Sequence, residues 1–411
     1  MSVIKLRDDL LSVEATDNPY PVLADLREGD PVHWSESHRA WLVTRYADVA
    51  AAFQNRKLSS DRIRPMLAGR TAGQHGASDQ VLALMSEWMV LSDAPAHTRL
   101  RKLAAGAFKG QRIAALGDQI AVLTDGFLDD FVAGGHSDLI EHVAYPLPAT
   151  IIAEMLGAPP ADRDRFRHWS DELALVAFGA GGDAREDRHE RALAGLRKMF
   201  AYFGELAETR RAAPSDDMLS ALLAGDGRGG HLTDDELVGM CALLLFAGHE
   251  TTTNSVANGV LTLLANPDQL RVLRKDPELI ATAVEELLRV EGPIKVLVRW
   301  VLEDHELGGK QVRAGERVYL FTAAANRDPE KFVDPDRVDI TRSPNPHIAF
   351  GKGIHACIGA QLARLEMRVV LTRILERLPD LALATDEVRW NSSLASRSLV
   401  SLPVRHGAGA G

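Results

Sequence analysis

Beyond about residue 115, apolar residues recur at intervals of three and four, as in "LTDGFLDDFV", "ALAGLRKMFAYFGELAETRR" and "IATAVEELLRV", which predicts a succession of amphipathic helices. Shorter runs of strand character stand at "PVHWSESHRAWLVTRY" near the start, at "VLVRWVLEDHEL" and "QVRAGERVYLFTAAA" in the last third, and at "SLVSLPVR" at the end. The predicted class is therefore mainly α with a minor β region. No repeat of solenoid length and no long Gly, Ser or Pro linker divides the chain, so one domain over 1–411 is expected.

The strongest helix signal begins at Thr233, where "TDDE" supplies an N-cap and a Glu three residues on, and no Pro interrupts it before "ANPDQ" at 265–269. Roughly 30 residues at about 1.5 Å each span about 45 Å, enough to cross a whole domain. Its middle, "LLLFAGHETTTNSV", sets Gly248, His249, Glu250 and three threonines between apolar flanks. Glycine and threonine are weaker helix formers and Thr hydroxyls compete for backbone carbonyls, so a local bulge or kink is expected there.

Composition narrows the classes. With 411 residues, 46% hydrophobic and 25% charged, the chain can bury a large core. The N-terminal stretch lacks the apolar run of a signal peptide, and nowhere do about 18 uncharged apolar residues stand together, so a cytoplasmic protein without a membrane anchor is expected. A net charge of −10 argues against nucleic-acid binding. Two motif matches fail on context. "GDGRGG" at 225–230 fits a dinucleotide fingerprint but follows a helical run rather than a strand, and "HETTT" at 249 lacks the second histidine of a zinc site.

The chain has two cysteines, Cys241 and Cys357, which allow at most one disulfide. Cys357 sits in "FGKGIHACIGAQLARLE", where Gly351 and Gly353 permit a tight turn and the following helix N-terminus adds positive potential; both favour thiolate over thiol. Read from these residues alone, the thiol is a buried small hydrophobe, a nucleophile paired with His355, or the single axial ligand of a haem iron.

Phe350 to Gly359, reading FGxGxHxCxG, resembles the haem-binding loop of the cytochrome P-450 family of haem-thiolate monooxygenases over all ten positions. "EELLR" resembles the family's ExxR motif and "AGHETT" its oxygen-activating helix segment, while "DAPAHTRLRKLAAGAF", "VRW" and "AANRDPEKFVDPDRVDITR" match in the family's order. The resemblance implies the cytochrome P-450 fold, with haem between the long central helix and the helix that follows the Cys loop. It implies haem b (iron protoporphyrin IX) held through its metal by Cys357, with His97, Arg101, Ala247, Arg299, Phe350, Gly351, His355 and Gly359 as cofactor-binding residues. Glu250 and Thr251 match the acid and alcohol that pass protons to bound oxygen, and Ala247 and Gly248 would leave room for it. Glu286, Arg289 and Arg337 would form a buried structural triad.

The same resemblance implies an apolar substrate pocket drawing on Met85, Met89, Leu244, Ala247, Val296, Leu297 and Leu394, with loops "GRTAGQHGASD" and "FGAGGDARED" admitting the ligand. Expected substrates are steroids, terpenoids, macrolides, fatty acids or xenobiotics, hydroxylated or epoxidised with O2. Length and the missing anchor are similar to bacterial members fed by a ferredoxin-type donor and a reductase, with NAD(P)H as ultimate donor. Arg99, Lys102, Lys109, Arg112, Lys352 and Arg364 would form the positive patch that receives the acidic donor. Oxidative coupling, dealkylation and peroxide-driven oxidation are rival outcomes of the same chemistry, and a non-catalytic haem sensor is a rival of another class.

Overall fold

The computed structural model describes residues 6–68, 76–108, 110–135, 137–177, 187–225 and 230–407. Eight helices frame the site: α1 Ala96–Ala105, α2 Gly117–Ala133, α3 Pro146–Met155, α4 Arg163–Ala177, α5 Arg188–Ala212, α6 Asp234–Ala265, α7 Ile280–Glu291 and α8 Ala360–Arg377. The capping box read from "TDDE" starts α6: Glu236 N–H donates to Thr233 Oγ1 (3.2 Å) and Thr233 N–H to Glu236 Oε2 (2.9 Å).

Two apolar cores share α6. Its first half, Leu237 to Phe246, packs with Phe166 and Trp169 of α4 and Leu196, Met199 and Phe203 of α5. Its second half, Val256 to Leu263, packs with Leu128 and Phe131 of α2, Val284 and Leu287 of α7, and Val370, Leu371 and Ile374 of α8. Each large side chain fully buried in such a core contributes about 1.5–3 kcal/mol, so both halves are held firmly. The polar stretch Ala247–Thr251 lies at the joint between them.

The expected bulge does not form, since α6 is helical without interruption from Asp234 to Ala265. The hydroxyls of Thr251, Thr252 and Ser255 donate to the carbonyls of Ala247 (2.8 Å), Gly248 (3.1 Å) and Thr251 (2.8 Å) without displacing the helix ladder. Gly248 also differs from expectation. A Cβ there would stand 3.1 Å from Ile152 Cγ1, so the glycine serves close packing of α6 on α3.

A mixed sheet covers one side: β1 Val32–Ser35, β2 Ala40–Val43, β3 Leu58–Ser59, β4 Leu297–Val301 and β5 Arg317–Leu320, in the order β1-β2-β5-β4-β3. The β2–β5 pair is parallel and the others antiparallel, with Arg299 of β4 opposite Val318 of β5. The short β3, which no sequence pattern announced, carries the chain to Ser59 and Ser60 beside the site. No described helix is long and apolar enough to cross a membrane.

Candidate functional site

Cys357 stands three residues before α8 in a loop closed by backbone bonds from Gly351 N to Ile348 O (2.9 Å) and Cys357 N to Phe350 O (2.9 Å). Gly351 and Gly353 take φ of 68° and 73°, and a Cβ on Gly353 would come within 2.9 Å of Phe53 O, so this turn needs glycine there. Cys357 is exposed, yet burial pushes its thiol up, against the opposing pull of the Gly359 N–H and the charges of Arg101 and Arg364. The sulfur therefore faces a recess rather than bulk water. The backbone donor of the loop pulls towards thiolate, as expected, but desolvation outweighs it and the two guanidiniums.

Around this recess stands a group of nitrogen bases and cations with few anions. His97 of α1 is 1% exposed, and neither ring nitrogen has a partner; His355 Nε2 has none either. Their rings lie 4.0 Å apart between centroids. Burial pushes His355 down to about 3, helped by the charges of His97, Arg299 and Arg101. Buried Arg299 lies over the Phe53 ring (5.6 Å), donates to the Val298 carbonyl (2.9 Å), and is pushed down to about 10 by burial and then by Arg62, with Asp93 opposing. That carboxylate is already held by the Ser60 N–H (2.9 Å) and the Ser59 hydroxyl. Arg62 belongs to no motif and was not foreseen; it joins the group because β3 ends beside β4.

On α6, Ala247, Gly248, Glu250 and Thr251 are the only positions between Leu237 and Val260 that are not buried. A helix buried on both sides of such a window borders a recess there. Burial pushes Glu250 up to about 7, with Asp171 adding and Asn254, whose amide donates to Oε1 (3.3 Å), opposing. A second buried acid was missed by sequence reasoning. Glu366 of α8 is 1% exposed, has no partner on Oε2, and is pushed up to about 8 by burial despite a hydrogen bond with Thr252.

The charge cluster behind the site corrects one residue. Arg289 donates to both oxygens of Glu286 (2.8 Å each), and the third cation is Arg342, whose Nε lies 3.2 and 3.1 Å from them. Arg337 is exposed and offers only its carbonyl, to Arg289 Nη2 (3.2 Å). The Asp339 N–H and the Asn345 amide complete the shell of Glu286. Burial alone would raise this acid, but bonds and charge from Arg289, then Asp339 N–H and Arg342, hold it below the usual range.

Among the expected pocket residues, Ala247 is exposed and Leu297 and Leu394 are half-buried, whereas Met85, Met89, Leu244 and Val296 are 5% exposed or less and serve the cores. Of the two expected entry loops, 69–75 and 178–186 lie outside the described residues, as do 226–229 of "GDGRGG" and Lys109. In the expected positive patch, Arg99 is paired with Glu236, Arg112 with Asp216 (2.5 Å), and Arg364 with both oxygens of Glu285 (2.6 and 2.8 Å), so much of its charge is neutralised within the chain.

Comparison with known proteins gives a consistent result. The family model described as Cytochrome P450 matches residues 186–381. Cytochrome P450 107B1 of Saccharopolyspora erythraea is 42% identical over 90% of each chain. The vitamin D(3) 25-hydroxylase of Pseudonocardia autotrophica is 41% identical over 97% of this chain and 96% of its own. Among solved structures, P450BioI in complex with acyl carrier protein bearing hexadec-9Z-enoic acid superposes with a TM-score of 0.89 at 35% identity, covering 96% of this chain and 99% of that one.

Proposed function

Because the chain belongs to the cytochrome P450 family and is a haem-thiolate monooxygenase that works with O2 and redox partners, we propose that Cys357 is its iron ligand and that it inserts one oxygen atom into an apolar organic molecule by hydroxylation or epoxidation. The observation that carries this reading is the set of buried polar groups beside the Cys357 recess that lack partners: both nitrogens of His97 and Nε2 of His355, with Arg101 and Arg299 adjacent. A donor set of this chemistry fits a group bearing two carboxylates, as haem b does, and charge-assisted bonds would satisfy the orphaned nitrogens. When bound, haem supplies the iron at which O2 is activated, with a thiolate ligand favouring O–O cleavage.

The chain's own residues account for the rest. Phe350, Gly351 and Gly359 shape the loop so that the sulfur presents itself at the recess, and Ala247 leaves the opposite wall low. Thr251, its hydroxyl donating to Ala247 O (2.8 Å), would turn that proton into the recess and be resupplied by Glu250, so that the pair would hold and deliver protons there. An acid near 7 is half-protonated at neutral pH, which suits a group that must both hold and give a proton. Ala247, Leu297 and Leu394 give the pocket its apolar surface, which fits substrates of the steroid, terpenoid, macrolide, fatty-acid or xenobiotic classes. A vitamin D(3) hydroxylase and a fatty-acyl complex among the relatives support that choice. We further assign the chain one domain over 1–411, a ferredoxin-type donor with a reductase drawing on NAD(P)H, and a cytoplasmic location.

The deciding experiment is the absorption spectrum of the dithionite-reduced protein with and without carbon monoxide. A Soret band at the long-wavelength position of thiolate-ligated haem, lost in Cys357→Ala, is the expected result. An imidazole-like band in the native protein, or a native spectrum retained in the variant, removes Cys357 from the iron.

A further inference from the structure

On one side of Glu250 stands a cluster that the reading above leaves unused. Tyr145 follows a π-helical turn at Ile140–Ala144 and leads into α3. Its hydroxyl donates to Asp171 Oδ1 of α4 (3.0 Å), and Arg167, one turn earlier on α4, lies 4.6 Å over its ring. Another neighbour of the Tyr145 ring is buried His249, edge-on at 4.9 Å and 78°. A backbone bond to Leu245 occupies one nitrogen of His249, and burial pushes the ring down to about 4, so it is neutral with Nε2 as a bare acceptor. That atom lies 4.0 Å from Glu250 Oε2, too far for a direct hydrogen bond but within the span of one bridging water.

Asp171 is exposed at the other end. A cavity of about 290 Å³ lined by Tyr145, Arg167, His142 and Asp164 opens at Tyr145, whose hydroxyl Asp171 holds, and it is polar enough and large enough for several waters. Electrostatics tie the two ends together. The charge of Asp171 raises Glu250, and both carboxylates raise Tyr145.

We propose that Asp171 and Tyr145, with His249, are positioning residues that feed protons from solvent to Glu250; this rests on reading Glu250 as the relay acid. The Asp171 carboxylate takes a proton from a hydronium ion. Its new O–H donates to the Tyr145 oxygen, which reverses the present bond and frees the phenolic proton to point inward. A water accepts that proton and passes one of its own to the Glu250 carboxylate, while His249 Nε2 holds the water by accepting its other hydrogen. Asp171 then returns its proton to Tyr145. One proton enters from solvent for each that reaches Glu250, and nothing is oxidised or reduced.

The test uses the ferric holoenzyme and the infrared C=O band of protonated Glu250, identified by its loss in Glu250→Gln. On stopped-flow transfer into D2O, Tyr145→Phe and Asp171→Asn should slow the deuterium shift of that band on the order of tenfold, less than the hundredfold or more that a directly acting acid contributes. Asp171→Glu should restore the wild-type rate. Asp171→Asn should also lower the midpoint of the band from about 7, because a negative charge facing Glu250 is removed while Asn254, His249 and Tyr145 stay. Wild-type exchange in both variants overturns the feed. Hydrogen peroxide released per NAD(P)H oxidised, compared between Glu250→Gln and wild type, tests the underlying reading. Unchanged release removes Glu250 and the feed together; raised release with unaltered exchange in Tyr145→Phe and Asp171→Asn removes the feed alone.

Discussion

Glu286 and Glu366 are both essentially sealed from solvent, at 0% and 1% exposure, and burial pushes both up, yet the groups around them bring them to opposite net directions. Glu286, on α7, meets Arg289, Arg342, the Asn345 amide and the Asp339 N–H, and is held below the usual carboxylate range. Glu366, on α8, meets one threonine hydroxyl and is pushed up to about 8. Thr252 gives its own proton to Gly248 O (3.1 Å), so its oxygen has lone pairs left for a protonated Glu366. The fold thus keeps one buried acid charged to pin the segment Asp339–Asn345 to α7, and another neutral where α6 crosses α8. Glu250, pushed up to about 7, belongs with the second kind.

The largest effect should come from breaking the charged assembly. Glu286→Ala leaves Arg289 and Arg342 buried without their carboxylate, and removing one partner of such a pair costs about 3–5 kcal/mol. Urea unfolding of the variant should show a loss of that size, together with weakened haem retention, since the segment Arg337–Asn345 leads directly into the Cys loop. A midpoint equal to wild type would mean that the cluster ties nothing down. In the native protein, Glu286 contributes stability that is present above its unfolded value and lost as the pH falls through its lowered folded one.

Glu366 should show the reverse sign. Its folded value of about 8 lies above the ordinary 4.5, so its contribution is complete below pH 4.5 and is lost as the pH rises through 8, at up to about 1.4 kcal/mol per pH unit. Glu366→Gln, a neutral amide of the same shape, should match wild type at pH 5 and exceed it at pH 9. The difference between variant and wild type isolates this residue, because Glu250, which is half-titrated near pH 7, changes both curves alike. Parallel stability curves for wild type and variant would mean that Glu366 is charged in the folded protein.

These two acids also show what the sequence makes legible. The Cys loop could be read because its spacing is local: two left-handed glycines and a cysteine before a helix are fixed within ten residues. The capping box of α6 was legible for the same reason. Glu366 carried a signal that went unused, since Leu362, Glu366 and Val370 stand four apart on one helical stripe and an acid in an apolar stripe is a buried acid. Tyr145, Asp171 and Arg62 had no such signal. Their neighbours come from helices and strands far apart in sequence, and only packing brings Asp171 of α4 to Tyr145 before α3.

The smallest effect separates two arginines five residues apart, of which the motif spacing favoured the wrong one. From Asp334, whose φ is 45°, the chain turns so that Arg337 N bonds Asp334 O (3.1 Å) and the Arg337 side chain points out. The chain then doubles back, and Arg342 reaches Glu286 with its side chain 12% exposed while also donating to the Val333 carbonyl (2.9 Å). Arg342→Ala should therefore destabilise by about 1.5–3 kcal/mol, the range for a hydrogen bond to a charged group. Arg337→Ala keeps the carbonyl that Arg289 uses and should stay within about 0.5 kcal/mol of wild type, as exposed substitutions do. Thermal unfolding of the two variants side by side decides the matter: equal losses, or a larger loss at Arg337, would place the third cation of the cluster back at 337. The ordering depends on backbone direction alone, because both residues are arginines on the same segment and only the turn at Asp334 decides which one meets the buried carboxylate.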